Sequence, residues 1–333
     1  MDLDLVFLGT SGSAPTANRG APALLVRRGG DRLLFDCGEG TQRQLMRSVV
    51  GLPDLEQIFV THFHADHYLG LPGMLKTFAL RQRELPLTIY GPPGLKELFG
   101  SLRRVFGRLT YPVETVEVRA GETLERDGYR ILVFPVHHGV SAVGYAVVEA
   151  PRPGRFDVEA ADALGVPNGP ARGALQRGES ITLDDGHVLT PDAVLGEPRR
   201  GRRIVMTGDT APTEAVGVLA EAADVLVHEA TFGEDERGRA VETLHSTAAQ
   251  AAELARDAHV RLLALTHLST RYFGPELVEE ATAIFPETVV PRDFDVIEVP
   301  FPERAEPRLV RRGARPSRAR AVTEVSDLPG AAP

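Results

Sequence analysis

The stretch Thr61-His62-Phe63-His64-Ala65-Asp66-His67 sets a His-x-His-x-Asp-His pattern directly behind the apolar run Leu55-Glu56-Gln57-Ile58-Phe59-Val60. The run has strand character and a helical pattern begins near Leu69, which places the cluster on a strand-to-helix turn. The arrangement recurs. Ile131-Leu132-Val133-Phe134-Pro135-Val136 leads to the adjacent His137 and His138, Ile204-Val205-Met206-Thr207 to Asp209, and Leu262-Leu263-Ala264-Leu265 to His267. Apolar runs of this length read as buried strands, and layered α/β folds collect their ligands beyond the carboxyl ends of such strands. Four distant segments therefore deliver imidazole or carboxylate to one edge, which is how a metal site is assembled.

His62 and His64 sit two apart, so in an extended segment their rings project the same way. Asp66 and His67 follow after the chain turns and point to a neighbouring position. Imidazole and carboxylate without thiolate suit zinc first, with manganese or iron as alternatives. Five histidines and two aspartates exceed what one tetrahedral ion needs. Shared between two ions about 3.5–4 Å apart, with one carboxylate bridging, they fit a binuclear hydrolase. Two divalent ions less two carboxylates and a bridging hydroxide leave a net positive centre, which suits an anionic substrate such as a phosphodiester. The ions would supply hydroxide at neutral pH and stabilise charge growing on the phosphate. Of His137 and His138, one coordinates and the other packs or hydrogen-bonds. His187 and His259 read as surface residues.

The chain is 333 residues long, with 43% hydrophobic and 25% charged residues, the composition of a globular protein with a sizeable core. A formal charge of −9 leaves any nucleic-acid contact to local patches. Lys76 and Lys96 are the only lysines, so the cations are almost all arginine. Cys37 is the sole cysteine, which excludes an internal disulfide and a cysteine-based zinc site; it reads as a small buried residue. The start, Met1-Asp2-Leu3-Asp4-Leu5, lacks the pattern of a signal peptide. No apolar run approaches the roughly 20 residues of a membrane span. A soluble cytoplasmic protein is the expectation.

Leu3 to Leu8, Ala23 to Val26 and Leu33 to Phe35 read as strands. Gly9-Thr10-Ser11-Gly12-Ser13 is a glycine-rich loop after the first, a weak phosphate-loop signal because no Gly-Lys-Ser/Thr follows. Helices are expected over Leu69 to Arg83, with Leu71, Leu75, Phe78 and Ala79 sharing a face, over Gly94 to Phe106, and over Thr247 to Asp257. From Pro151 to about Gly201 the chain turns irregular and poor in core residues, in the manner of a functional or disordered insert. The Pro-, Arg- and Ala-rich tail from about Phe301 is expected to fray.

The His-x-His-x-Asp-His cluster resembles the signature of the metallo-β-lactamase superfamily, whose fold is a four-layer αβ/βα sandwich with metals at one edge of two sheets. Further stretches narrow the resemblance: Phe35-Asp36-Cys37-Gly38-Glu39-Gly40-Thr41-Gln42, His138-Gly139-Val140-Ser141 with Gly144-Tyr145, Val227-His228-Glu229-Ala230-Thr231-Phe232, His245-Ser246-Thr247-Ala248, and Leu265-Thr266-His267-Leu268-Ser269-Thr270-Arg271-Tyr272. In order and spacing, from about Leu3 to Pro300, they resemble the short form of the ribonuclease Z family, zinc endonucleases that mature tRNA 3′ ends.

The resemblance implies that His62, His64 and His138 hold one zinc, that Asp66, His67 and His267 hold the other, and that Asp209 bridges. It implies Asp66 as the general base that orients the attacking water. His245 would be the acid that protonates the leaving 3′-oxygen, with Glu229 positioning it. From the residues alone, His245 is equally a helix-start residue beside a Ser246 cap. The implied organisation is a catalytic domain over 1–300, an inserted flexible tRNA-binding arm over 151–201, and a disordered tail over 301–333. The implied partners are precursor tRNA and a second copy of the chain, with no membrane. Gly169-Pro170 and the run to Gly178 fit the arm, but four arginines balanced by four acids between Pro151 and Thr182 depart from the family's lysine-rich pattern. Arg199-Arg200 with Arg202-Arg203 either supplement that grip or form a solvated turn. The rival readings are a small-molecule phosphodiesterase, arylsulfatase or lactonase on the same scaffold, and a metal-free binding protein.

Overall fold

The computed structural model describes residues 2–52 and 55–312. The first sheet takes β1 (Leu3–Gly9), β2 (Ala23–Arg28), β3 (Asp31–Phe35), β4 (Gln57–Phe59), β5 (Leu87–Gly91) and β6 (Val113–Glu117) from the first half. The second half supplies β7 (Thr123–Arg126), β8 (Tyr129–Pro135), β9 (Val143–Glu149), then the short pair β10 (Ile181–Thr182) and β11 (Val188–Leu189), then β12 (Arg203–Met206), β13 (Val225–Glu229), β14 (Leu263–Thr266) and β15 (Thr288–Val289). Last come β16 (Val296–Glu298) and β17 (Arg308–Val310), which return to the first sheet. That sheet runs β17-β16-β1-β2-β3-β4-β5-β6 and the other runs β15-β14-β13-β12-β9-β8-β7.

Both faces of each sheet are covered, which is why the strands read as near-continuous apolar runs. In β1, Leu3, Leu5 and Phe7 point into a core shared with Ile131, Tyr145, Val225 and Ala264 of the second sheet. The alternate residues Val6 and Leu8 point to an outer core with Leu71, Met74, Leu75 and Phe78. Those four lie on α3 (Gly70–Leu80), which follows α1 (Thr41–Arg47) and the one-turn α2 (Ala65–Tyr68), and precedes α4 (Leu95–Phe106). The helix expected over Leu69–Arg83 is α3, and the one-turn α2 that carries Asp66 and His67 directly precedes it. Beyond α5 (Val158–Ala163) and α6 (Pro170–Gln176) of the insert come α7 (Glu214–Ala220), α8 (Arg237–Thr243), α9 (Ala248–Asp257) and α10 (Pro275–Thr282). Val216, Ala251, Ala255 and Leu277 from three of these cover the outer face of the second sheet, against Val205, Leu226 and Leu263. The result is a metallo-β-lactamase fold, helix–sheet–sheet–helix in four layers, as the sequence leads one to expect.

Two stretches depart from that reading. Residues 151–201 fold into a small lobe with two short helices. Its stem is closed by bridges Arg152↔Arg199 and Phe156↔Leu195. Ala161, Val166, Leu175, Leu189 and Val194 form a small core with Phe156 and Ile181. These apolar residues lie singly among prolines and glycines, so no periodicity betrays them. Gly169, at φ 109, precedes Pro170 at the first position of α6, the placement in which the missing proline N–H costs nothing. The tail is ordered as far as Arg312: β17 pairs with β16, and Phe301 is buried. An aromatic ring among arginines finds a packing site that composition does not reveal. The rest of the expected disordered tail, 313–333, lies outside the described residues.

Candidate metal centre and its acid–base pair

β4 lies parallel to β3 and β5, and β12, β13 and β14 lie parallel to one another. β8 runs the same way as β12, because both are antiparallel to β9. The carboxyl ends of these strands meet at one edge of the sandwich. His62 and His64 follow β4, Asp66 and His67 open α2, and His138, Asp209 and His267 follow β8, β12 and β14.

One ligand atom from each of His62, His64, His138 and Asp209 falls within 4.8 Å of the others, and the same holds for Asp66, His67 and His267. Asp209 lies between the groups. Its Oδ2 is 3.6 Å from His62 Nε2 and 3.3 Å from His267 Nε2, and its Oδ1 is 3.4 Å from His67 Nε2. Of the adjacent pair, His138 turns inward, with Nε2 3.1 Å from His64 Nδ1, while His137 is exposed and its backbone pairs with Ala211. His187 and His259 are exposed as expected. Cys37 is fully buried.

Four of the five inward rings are held from behind, which fixes the tautomer that leaves the other nitrogen as a lone pair. His67 Nδ1 donates to Asp36 Oδ2 at 2.8 Å, His138 Nδ1 to the Leu244 carbonyl at 3.1 Å, and His267 Nδ1 to Thr231 Oγ1 at 2.9 Å. His62 Nδ1 lies 3.0 Å from Thr61 Oγ1, which in turn donates to Asp36. His62 Nε2 and Asp209 Oδ1 are buried with no hydrogen-bond partner, and polar atoms are rarely left so without a cation or water to meet them. Burial and neighbouring imidazoles push His62 well below its usual value, and burial lowers His138, so both are neutral donors. Burial works against charge on His67 too, yet Asp209 and Asp36 hold its value well above the usual one. Burial would raise Asp209 and Asp66; the surrounding imidazoles outweigh it and keep both carboxylates ionised. The donor set, its orphaned atoms and its demand for positive charge suit metal ions.

Asp36, Thr61 and Thr231 join the site through contacts that the sequence motifs do not mark. Asp36 obeys the same rule as the ligands, a polar residue just past a strand end. It sits at φ 57, a left-handed conformation shared by His267, and such strain gathers at functional sites. The loop Gly9–Ser13 also proves to serve the site. Its backbone zips onto the segment after His267, with Gly12 N–H donating to the Leu268 carbonyl at 2.8 Å, and Ser13 N–H donates to Asp66 Oδ2 at 2.9 Å. A β-carbon on Gly12 would fall 2.7 Å from His267 Nδ1.

His245 enters from the turn between α8 and α9, its ring 5.0 Å from that of His138 and 5.5 Å from that of His267. Its Nδ1 donates to Glu229 Oε1 at 2.7 Å. Glu229, at the end of β13, also accepts from Thr210 N–H, Thr231 N–H and Thr231 Oγ1–H. Burial disfavours charge on His245, but Glu229 prevails and raises it to about 8. The helix cap beside it is Thr247, in a capping box with Gln250, whereas Ser246 donates to the Thr210 carbonyl. The pair Glu229–His245 thus sets a carboxylate-oriented imidazole on the rim of the cluster.

Each of the four arginines at the end of the insert has a partner within the protein. Arg199 pairs with Glu303, Arg200 forks onto Asp224, Arg202 is buried on Glu149, and Arg203 donates to the Glu221 carbonyl.

Residues 18–154 match the metallo-β-lactamase superfamily and residues 175–268 match a β-lactamase superfamily domain. The chain is 45% identical to ribonuclease Z of Archaeoglobus fulgidus over 90% of its own length and 98% of that protein. It is 48% identical to ribonuclease Z of Natronomonas pharaonis, over 91% of this chain and 100% of the other. To ribonuclease Z of Myxococcus xanthus it is 49% identical, over 81% and 88%. Among solved structures, the short form of human tRNase Z superposes with a TM-score of 0.64 at 27% identity, covering 89% of this chain and 99% of that one. A metallo-β-lactamase-fold protein of Bacillus subtilis superposes with a TM-score of 0.65 at 20% identity, covering 90% and 100%, a likeness of fold. On these relatives, and with the metal-ligating cluster and the oriented histidine in place, the chain belongs to the ribonuclease Z family.

Proposed function

We propose that the protein is a zinc-dependent endoribonuclease that removes the 3′ trailer from precursor tRNA. The observation that carries the reading is the Glu229–His245 pair at 2.7 Å beside two clusters of metal-ligating side chains, on a chain 45% identical to a ribonuclease Z. His62, His64 and His138 would hold one ion and Asp66, His67 and His267 the other, with Asp209 shared between them. Imidazole and carboxylate donors without sulfur favour zinc, with manganese or iron next. When bound, two divalent cations supply Lewis acidity and the positive charge that draws a phosphodiester.

The chain's own residues carry the protons. Asp66, fixed by the Ser13 N–H, orients the attacking water and takes its proton. The water oxygen bonds to phosphorus as the bond to the 3′-oxygen breaks. His245, charged near neutral pH, passes its Nε2 proton to that 3′-oxygen, while Glu229 keeps the ring oriented and stabilises its charge. The products are a tRNA with a 3′-hydroxyl and a trailer with a 5′-phosphate. The lobe at 151–201 would hold the tRNA body. Within it Arg172 pairs with Asp162 and Arg177 with Glu179, which supports a grip with little salt dependence. A homodimer in the cytoplasm completes the proposal. No described helix is long and apolar enough to cross a membrane.

The test is cleavage of an end-labelled precursor tRNA carrying a 3′ trailer, with and without chelator, mapped to the nucleotide. A chelator-sensitive cut at the discriminator base, or just after CCA, is the expected outcome. An intact precursor alongside brisk turnover of a small diester or sulfate ester would overturn it in favour of a small-molecule hydrolase.

A further inference from the structure

The two chain segments that leave the body and enter the lobe meet one short stretch of the C-terminal segment. Arg152 and Arg199 face each other across the bridge that closes the stem, and both pair with Glu303, at 2.9 and 3.2 Å. The guanidinium of Arg152 lies 3.5 Å from the centre of the Phe301 ring and that of Arg202 4.0 Å. Arg202 is itself anchored. It is 2% exposed, donates to Glu149 at 2.7 and 2.8 Å, and donates to the Val299 carbonyl at 2.9 Å. Glu149 ends β9, from which the lobe departs, and Arg203 opens β12, at which it returns. Phe301 and Glu303 therefore touch both the segment that leaves β9 and the one that leads back to β12, the latter through an arginine anchored on the body.

The stem's hydrogen bonds, Arg152 with Arg199, Gly196 N–H to the Arg155 carbonyl and Asp157 N–H to the Val194 carbonyl, join its two segments to each other and leave the angle of the lobe to other contacts. Exposed ion pairs such as those of Glu303 contribute little alone. A guanidinium stacked on a buried ring is stronger, because both partners are partly out of water. We propose that Phe301 and Glu303 are positioning residues for RNA recognition. They form a clasp that sets the angle at which the lobe leaves the catalytic body, so that lobe and metal centre meet one substrate at a fixed separation. The proposal rests on the reading that the lobe takes hold of tRNA. Ordering the lobe before binding removes a cost that the complex would otherwise bear, so loss of the clasp reads out in KM.

Phe301→Leu, alone or combined with Glu303→Gln, should raise KM for precursor tRNA about tenfold, a decade of lost preorganisation, with kcat unaltered. Turnover of bis(p-nitrophenyl) phosphate should stay at the wild-type level. Phe301→Tyr, which keeps the ring, should behave as wild type. A second readout needs no RNA. Cys37 is buried, so spin labels can be directed to Glu159→Cys on α5 and Glu253→Cys on α9, both exposed positions. Their distance distribution should broaden with Phe301→Leu and not with Phe301→Tyr. Unchanged distances, a broadened distribution with unaltered KM, or parallel losses on both substrates would each overturn the clasp. A wild-type enzyme that cuts no precursor tRNA would sink the functional reading instead, and the distances alone would then decide the clasp.

Discussion

In the proposed mechanism His245 is the residue on which the chemistry turns most sharply, because it would have to hold a proton that its burial opposes. Glu229 supplies the compensation and raises it to about 8. A general acid works only while protonated, so the rate should be full below this value and fall as pH rises through it. Cations in the adjacent site press the value down, placing the alkaline limb of kcat for precursor tRNA at or below about pH 8. Glu229→Gln removes the raising charge and should move the limb to lower pH; a limb that does not move would show that Glu229 only packs. His245→Ala should lower single-turnover cleavage of precursor tRNA by about 10²–10⁴-fold with melting temperature and metal content retained. The same variant should keep most of its turnover of bis(p-nitrophenyl) phosphate, since p-nitrophenolate leaves without a proton. The residue types were legible in the chain. The Glu229–His245 contact was not, since the two are sixteen positions apart and their approach is made by the turn between α8 and α9.

Among elements, the loop after β1 shows how backbone serves chemistry. It carries no ligand, and as a glycine-rich motif it resembled a phosphate loop. Folded, it lies along the segment after His267 so closely that Gly12 has no room for a side chain. Gly12→Ala should displace His267 and lower bound metal per chain, whereas Gly30→Ala, with nothing within 4 Å of the added carbon, should not. Metal analysis after gel filtration distinguishes them, and equal metal content would show that the loop yields without cost. The insert makes the complementary case. Its core residues are too sparse for any periodicity, so the lobe was legible only as a change in composition.

Across the whole molecule, the cluster gathers side chains from both sheets, so ions bound there would tie the two layers together. Ligand held by the folded state alone stabilises by about 4 kcal/mol when free metal stands a thousandfold above Kd. Chelation should therefore lower the melting temperature by on the order of 5–10 °C, and Asp209→Ala should show the lower value without chelator. A chelated protein that melts unchanged would argue that the ions contribute nothing to folding. The lobe is separable at its base, where Gly154 and Gly196 pack backbone to backbone. Replacing 155–195 by a short linker should spare small-diester turnover and abolish precursor-tRNA cleavage; loss of both would mean that the lobe supports the catalytic body.

The sequence by itself determined the layers and where the candidate metal ligands lie. Strand-length apolar runs ending in histidine or aspartate place each donor at a strand's carboxyl end, and covered sheets require both faces apolar, so pattern and position carry the fold. Tertiary structure alone decided what holds those donors and what the arginines do. Asp36 behind His67, Thr231 behind His267 and the ring of Phe301 beneath Arg152 and Arg202 are contacts between residues far apart in sequence. Hydrogen bonds and cation–π stacks depend on distance and direction in space, and a linear chain records neither.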